Sequence, residues 1–306
     1  MPHTVWLVTG ASTGLGLALV LRALARGDCV IATARDVGRF DPILVSLTEA
    51  ERSRIHPLRL DVTAPFGEIE EVMKRAVERW GHVDVLVNNA GVNLGVGVSE
   101  ELGADQMMRV MQTNFAGVIN VTNALLPYMR GRKSGTVVVV GSRSAYRNEF
   151  PVLAYAASKA AVHSYGETLA AEVRPWNIRV TILVPGTFDT AMNIPPITGR
   201  PITDYDDMRK SMALMLQMLK DKPHKGDPTK GMDVVVDLVH GEGRAKGKAH
   251  WPLWLFLGED SVSDAKARAA KLRETVEEWE SAGVGLAIES ATNVGPGRFE
   301  EPPIVR

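Results

Sequence analysis

One cysteine, Cys29, is all that the 306 residues contain. An internal disulfide is therefore excluded, and a reducing setting, taken here as cytoplasmic, fits. The seven histidines are scattered without a His-x-x-x-His or Cys–His pairing, so no metal site is expected. Neither sign of charge is in excess: 35 Lys and Arg face 36 Asp and Glu, a formal net charge of −1. Nothing in that balance points to nucleic acid or to an anionic membrane surface as a partner. No run of about 20 apolar residues exists to span a bilayer. The opening stretch, Met1-Pro2-His3-Thr4-Val5-Trp6, goes straight into a strand, and a signal peptide is not expected. Repeats and domain-splitting linkers are missing too. What is left is an ordinary globular composition, 45% apolar and 23% charged, long enough to bury a large α/β core.

Against that plain background one stretch stands out, Tyr155-Ala-Ala-Ser-Lys159. On a helix, residues four apart share a face, so the phenol and the ammonium can meet. A free phenol, with a pKa near 10, is a poor acid–base catalyst at neutral pH. A fixed cation beside it favours the phenolate and makes proton exchange with a carbonyl or alcohol oxygen accessible. Alone, the pair is weak evidence and reads first as a packed aromatic next to a solvated lysine.

Its context is what gives it weight. Val5 to Thr9 reads as a strand and Leu15 to Ala25 repeats apolar residues at helical spacing. Between them lies Thr9-Gly10-Ala11-Ser12-Thr13-Gly14-Leu15-Gly16, the strand–glycine turn–helix order that binds a dinucleotide pyrophosphate. Gly10 allows the tight turn, Gly14 lets backbone approach the phosphates, and Gly16 permits close helix packing. The helix N-terminus attracts the anion. Cys29 to Thr33 is a second strand, followed by Ala34, Arg35 and Asp36. Arg35 can bond a 2′-phosphate, which favours NADP over NAD, while Asp36 could instead reach a ribose hydroxyl. Ile55 to Leu60 ends at Asp61-Val62, where an acid could meet the adenine or cap the next helix. Val83 to Val87 ends at Asn88-Asn89-Ala90-Gly91, small enough to leave room for a flat ring system.

Asn114 sits inside a helical pattern running from Ala104 to Arg130, with Gly117 soon after. Both residues weaken a helix interior, so a kink is expected there, or simply a buried Asn bonded to a neighbour. Thr136 to Val140 is a fifth strand ending at Gly141-Ser142, and Ile178 to Val184 a sixth ending at Pro185-Gly186-Thr187-Phe188-Asp189-Thr190. Strands and helices alternate, which implies an α/β fold with a doubly wound parallel sheet, and each motif falls on the edge where such sheets bind ligands.

Taken in order, Thr9-Gly-x-x-x-Gly-x-Gly16, Asn88-Asn-Ala-Gly91, Asn114, Ser142 with Tyr155-x-x-x-Lys159, and Pro185-Gly186 with Thr190 resemble the short-chain dehydrogenase/reductase superfamily over about residues 4 to 260. The resemblance implies a Rossmann-like sheet of about seven strands with helices on both faces, Leu253 to Gly258 supplying the last strand. It implies that Tyr155 is the general acid for reduction and general base for oxidation. Lys159 would lower its pKa and hold the nicotinamide ribose, Ser142 would bond the substrate oxygen, and Asn114 would hold a water linking Lys159 to solvent. For the cofactor it implies Gly10, Ser12, Thr13, Gly14, Leu15 and Gly16 at the phosphates, with Asp61 and Val62 at the adenine. Asn89, Ala90 and Gly91 would lie along the cofactor, and Pro185, Gly186, Phe188 and Thr190 at the nicotinamide end. A homodimer or homotetramer built on the helices carrying Asn114 and Tyr155 is the implied assembly.

Two regions are less determined. Arg143 follows the serine where small residues are usual, with Arg147 and Glu149 in the same loop, and these read as a site for an acidic substrate or as an ion pair at the rim. Residues 191–203 are rich in Pro, Thr and Gly, a loop pattern. Asp204 to Lys220 then places Met208, Met212, Met215, Leu216, Met218 and Leu219 largely on one face, either a mobile apolar lid or ordinary packing. The expected organisation is one domain, 1–306: a cofactor-binding and catalytic core at 4–190, a lid region at 191–245, last strand and C-terminal helix at 246–285, and a tail from 286. The expected function is NADP-dependent interconversion of a ketone and a secondary alcohol on a bulky apolar small molecule. A catalytically silent cofactor sensor or scaffold, or a cofactor-retaining epimerase or dehydratase, would share the fold.

Overall fold

The computed structural model describes residues 3–147, 150–190, 196–220 and 225–286. Its strands are β1 (Val5–Val8), β2 (Cys29–Ala34), β3 (Ile55–Arg59), β4 (Val85–Asn88), β5 (Gly135–Val140), β6 (Ile178–Pro185) and β7 (Trp254–Leu257). The α-helices are α1 (Gly14–Ala25), α2 (Asp41–Ser46), α3 (Glu49–Arg52), α4 (Phe66–Trp80), α5 (Ser99–Met111), α6 (Gly117–Arg132), α7 (Leu153–Val173), α8 (Asp206–Lys220), α9 (Pro228–His240) and α10 (Glu259–Gly283). The strands form one seven-stranded sheet in the order β3-β2-β1-β4-β5-β6-β7, every pairing parallel.

Burial on both faces explains the near-continuous apolar strands. Successive side chains of a strand point to opposite faces. Thus Val5 and Leu7 of β1 join a core with α4, α6 and α7 through Ile69, Met73, Val121, Leu125 and Val162. Trp6 and Val8 face the other way, onto Leu19, Val20 and Leu24 of α1 and Met232, Val235 and Val236 of α9. The Trp6 indole, fully buried, donates its Nε1–H to Asp28 (2.8 Å). Arg22–Asp233 and Arg26–Asp237 bridge α1 and α9 at the rim. So α9, which lies within the 191–245 span, belongs to the packed body, not to a lid.

The strand order reverses between β1 and β4, and a crevice at such a switch point is where open α/β sheets take ligands. The chain clusters into two compact units, one to Ala265 and one from Lys266 onward. In the second, the helical stretch of α10 leaves Leu272, Val276 and Trp279 exposed. The tail pattern from Gly295 to Arg306 and the loop residues 191–195 lie outside the described residues.

Candidate active site

The two loops at the switch point are welded by one hydroxyl. Thr9 Oγ1 donates to the Val87 carbonyl (3.3 Å) and accepts the amides of Asn89 (3.0 Å) and Ala90 (2.9 Å). That is one donor and both lone pairs, the full capacity of a hydroxyl. Asn89 Nδ2 donates back to the carbonyls of Thr9 (2.9 Å) and Gly10 (3.1 Å). Gly10 has φ +63°, and a Cβ there would stand 2.9 Å from Ala90 Cα. A Cβ on Gly16 would be 2.5 Å from the Gly10 carbonyl, so α1 enters the loop at backbone contact. Thr13 precedes α1 without a side-chain cap, and the first turn holds no acid. Its free amides and positive dipole end face the crevice beside half-buried Ser12 and Leu15. An uncapped helix start behind a tight glycine turn is the local geometry that the spacing of Gly10, Gly14 and Gly16 leads one to expect.

At the end of β2, Arg35 is exposed. Asp36 is engaged elsewhere: its Oδ1 accepts the Gly38 amide (3.0 Å) at the start of a 3₁₀ turn. Asp61 likewise takes the Thr63 amide (2.9 Å) and hydroxyl (2.7 Å). Burial disfavours its charge, but those two bonds, with Arg35 and Arg59 close by, hold its carboxyl below the usual carboxylate range. Val62 packs against Gly117, where a Cβ would stand 2.8 Å from its Cγ2.

Asn114 is fully buried, and the helix does deviate there: Gln112–Ala116 is a π-helical turn between α5 and α6. The Asn114 side chain accepts the Val92 amide (2.8 Å) and donates to the Val92 carbonyl (2.9 Å) and to Ser158 Oγ (2.9 Å). It clamps the loop that begins at Gly91 onto α7. A Cβ on Gly91 would lie 3.4 Å from Asn114 Oδ1 and 3.6 Å from Lys159 Nζ, so the glycine leaves these groups accessible to one another.

On α7, Tyr155 is half-buried and Lys159 is 4% exposed. Lys159 Nζ lies 5.7 Å from the Tyr155 ring centre and donates to the Val140 carbonyl (2.7 Å) at the end of β5. Burial pushes its ammonium down to about 8. Ser142 follows two residues on. Its Oγ accepts the Ser144 amide (3.1 Å), and its hydroxyl hydrogen bonds none of the described residues. Ser142, Tyr155 and Lys159 thus share the sheet edge that carries the glycine loop.

The segment after β6 completes the edge. Thr190 comes beside Gly14, its Cβ 3.7 Å from where a Gly14 Cβ would be. The Phe188 ring, by contrast, lies against Gly226 and Gly231, within 2.9 Å and 2.6 Å of their missing Cβ positions. Its side chain serves packing onto α9, a use that spacing alone could not reveal. Gly186 abuts Asp260 of α10, whose Oδ2 accepts the Thr187 amide (2.9 Å). Arg143 points to the same place. It is buried and pairs with Asp264 (2.6 Å) and Asp260 (3.5 Å). The loop cation is therefore a tie among the ends of β5, β6 and the start of α10, and Arg147 reaches Asp264 at 3.8 Å. Glu149 lies outside the described residues.

Across the edge, Val96 bridges Ile197, and Thr198 N–H donates to the Val96 carbonyl (2.9 Å). Glu101, buried on α5, accepts the Ile202 amide (2.9 Å) and the Arg209 guanidinium of α8. On α8 Met212 is fully buried, whereas Met208, Met215 and Met218 are exposed, so the apolar face is divided between anchoring and solvent.

One residue of the site escaped the motif reading. His163, one turn after Lys159, is buried and its Nε2 accepts the Ser142 amide (3.2 Å). The signal was there in the i, i+4 spacing from Lys159 and in Gly141 before Ser142, but nothing local linked the two.

A family model described as short chain dehydrogenase matches residues 4–198. Oxidoreductase BOA17 of Botryotinia fuckeliana is 30% identical over 292 residues, 92% of this chain and 99% of that protein. The 3-ketodihydrosphingosine reductase of Bos taurus is 30% identical over 232 residues, 72% of this chain and 69% of the relative. Among solved structures, a short-chain dehydrogenase from Streptomyces avermitilis superposes with a TM-score of 0.80 at 32% identity, covering 94% of this chain and 100% of its own. A parallel sheet in this order, with an uncapped glycine turn after its first strand, the family model over residues 4–198 and two near-full-length matches, places the chain in the short-chain dehydrogenase/reductase family.

Proposed function

We propose that this oxidoreductase interconverts a ketone and a secondary alcohol, and that it works as an NADPH-dependent reductase of a bulky apolar carbonyl compound with Tyr155 as proton donor. The observation that carries the reading is the placement of the Lys159 ammonium 5.7 Å from the Tyr155 ring, on the edge that holds the glycine loop. The chain's residues fit a dinucleotide: α1 is uncapped, its first turn lacks an acid, and Gly10 and Gly16 have no room for a Cβ. Gly10 to Gly16, with Ser12, Thr13 and Leu15, would hold the pyrophosphate. Asp61 and Val62 would flank the adenine. Asn89 to Gly91, Lys159, Pro185, Gly186 and Thr190 would line the nicotinamide end. A bound nicotinamide dinucleotide supplies the hydride.

Arg35 supports NADPH. It is exposed at the end of β2, and one oxygen of the neighbouring Asp36 accepts the Gly38 amide. A guanidinium there suits a 2′-phosphate.

The chain's own groups divide the remaining work. Ser142 accepts from Ser144, so its hydroxyl hydrogen is available for a carbonyl oxygen on which negative charge develops. Tyr155 gives its phenolic proton to that oxygen, and the Lys159 cation favours the phenolate left behind. Asn114 keeps the loop from Gly91 docked on α7. The likeness to 3-ketodihydrosphingosine reductase supports a ketone on a long apolar body, as do the exposed methionines of α8.

The test is Tyr155→Phe, assayed by NADPH consumption over a series of aryl and alkyl ketones. The variant should lose about 10²–10⁴-fold in kcat, the usual worth of a general acid, while NADPH binding by calorimetry stays within about twofold. Turnover near the wild-type rate would overturn the mechanism.

A further inference from the structure

We propose that His163 is a positioning residue for Ser142: as a neutral imidazole protonated on Nδ1, it accepts the Ser142 backbone N–H and fixes the serine hydroxyl against the reacting oxygen. The inference rests on the carbonyl-reductase reading for its kinetic consequences, though not for its geometry.

A backbone amide can only donate, so the 3.2 Å contact from Ser142 N to His163 Nε2 requires a lone pair on Nε2. The neutral ring then carries its proton on Nδ1. The approach is built in from both sides. A Cβ on Gly141 would stand 2.0 Å from Nε2 and 2.5 Å from Cδ2, so only glycine before Ser142 admits the ring at this distance. Trp254 and Tyr146 pack the imidazole at ring-centre separations of 5.1 and 5.3 Å. Lys159, one turn earlier on α7, takes the Val140 carbonyl at 2.7 Å. Two side chains one turn apart therefore grip the end of β5, one by a carbonyl and one by an amide, and Ser142 is held between them and its own bond to Ser144.

The groups around the ring are mixed. The Lys159 cation, one turn before it on α7, favours the neutral form. Glu167, one turn after it, is an exposed acid that would favour the charged form, and Tyr146 faces it uncharged from the loop after β5. Burial, reinforced by the Lys159 charge, pushes the imidazole down to about 4. The acceptor is thus kept through the physiological range.

The conservative variant is His163→Gln, whose amide oxygen can take the place of Nε2. His163→Leu fills the space without an acceptor, and Gly141→Ala displaces the ring while leaving it intact. With benzil and NADPH, His163→Gln should keep kcat within about threefold. His163→Leu and Gly141→Ala should each lose about 10- to 100-fold in kcat with KM nearly constant, the scale of a misplaced oxyanion donor. Melting temperature should not follow the kcat order. Equal losses in the Gln and Leu variants, or full kcat in the Leu variant, would overturn the proposal. A second arm needs no turnover: in ¹⁵N-histidine NMR of the wild type, His163 should show an unprotonated Nε2 from about pH 5 to 8. A proton on Nε2 in that range overturns the positioning role. Failure of the wild type to reduce any ketone would count instead against the carbonyl-reductase reading.

Discussion

Replacing Arg143 with alanine separates a structural tie from a substrate contact. The guanidinium side chain is 9% exposed, and the carboxylates it meets, Asp264 and Asp260, are 16% and 25% exposed. Taking one partner from a buried ion pair costs roughly 3–5 kcal/mol, because the charge left behind stays poorly solvated. Here the acids keep some contact with water, and Arg147 stands 3.8 Å from Asp264, so a loss of about 2–4 kcal/mol is expected. At about 2 cal/mol/K per residue, 3 kcal/mol lowers the melting temperature by about 5 °C in a chain of this length. Asp264→Asn should cost less, since the amide keeps a hydrogen-bonding oxygen. The double variant Arg143→Ala with Asp264→Ala should be less destabilised than the two single losses added together, as contacting residues couple. The kinetic effect should reach the cofactor side. Asp260 also holds the Thr187 amide, so slackening it frees the segment that brings Thr190 to Gly14. KM for NADPH should rise more than kcat falls. Urea unfolding and initial-rate kinetics check both halves. An unchanged melting point with a KM defect confined to acidic substrates would refute the tie and restore Arg143 as a substrate contact.

Arg35→Ala should weaken NADPH by roughly 10- to 100-fold, the worth of charge-assisted bonds to a phosphate, with NADH nearly unaffected; equal losses in side-by-side calorimetry would remove the basis of the cofactor reading. Lys159 gives a pH prediction of opposite sign for stability and activity. Its folded value of about 8 lies below the 10.5 of a free lysine, so burying the charge costs about 3 kcal/mol below pH 8. Between those values the unfolded chain binds the extra proton, and the cost is relieved as pH rises. Lys159→Met should therefore be more stable than wild type near neutrality, with the gap closing toward pH 10.5, while wild-type turnover falls as the cation is lost above about pH 8. A gap constant with pH in urea unfolding would contradict this.

What could be read without coordinates was what local rules govern. Alternating apolar strands and helices announced the doubly wound sheet, and the glycine loop announced its own turn, because φ > 0 at Gly10 and backbone contact at Gly16 demand glycine wherever they occur. Even the irregularity at Asn114 showed through, since Asn and Gly together disfavour a regular helix. The misses are long-range. Arg143 meets Asp264 across 121 positions, and His163 meets Ser142 across 21. Neither pairing has a spacing rule, because each is decided by how α7 and the first residues of α10, Asp260 to Asp264, meet the sheet edge. For the same reason no local pattern tells that the Phe188 ring packs on Gly231. On α8, periodicity identified an apolar face but could not say that Met212 anchors it while Met215 and Met218 face solvent.

A helix has a phase as well as an axis. The π-helical turn at Gln112–Ala116 admits one residue more than an α-helix would, and one residue is worth about 100° of rotation. Every side chain on α6 is consequently turned about its axis relative to α5 as if a gear tooth had been skipped. Beyond that seam α6 presents Val121 and Leu125 to the core. The residue at the seam, Asn114, is the one whose side chain spans from Val92 to Ser158. The break in register and the polar clasp are thus one construction: the misfit that frees the two faces from a common frame is also what turns an amide inward.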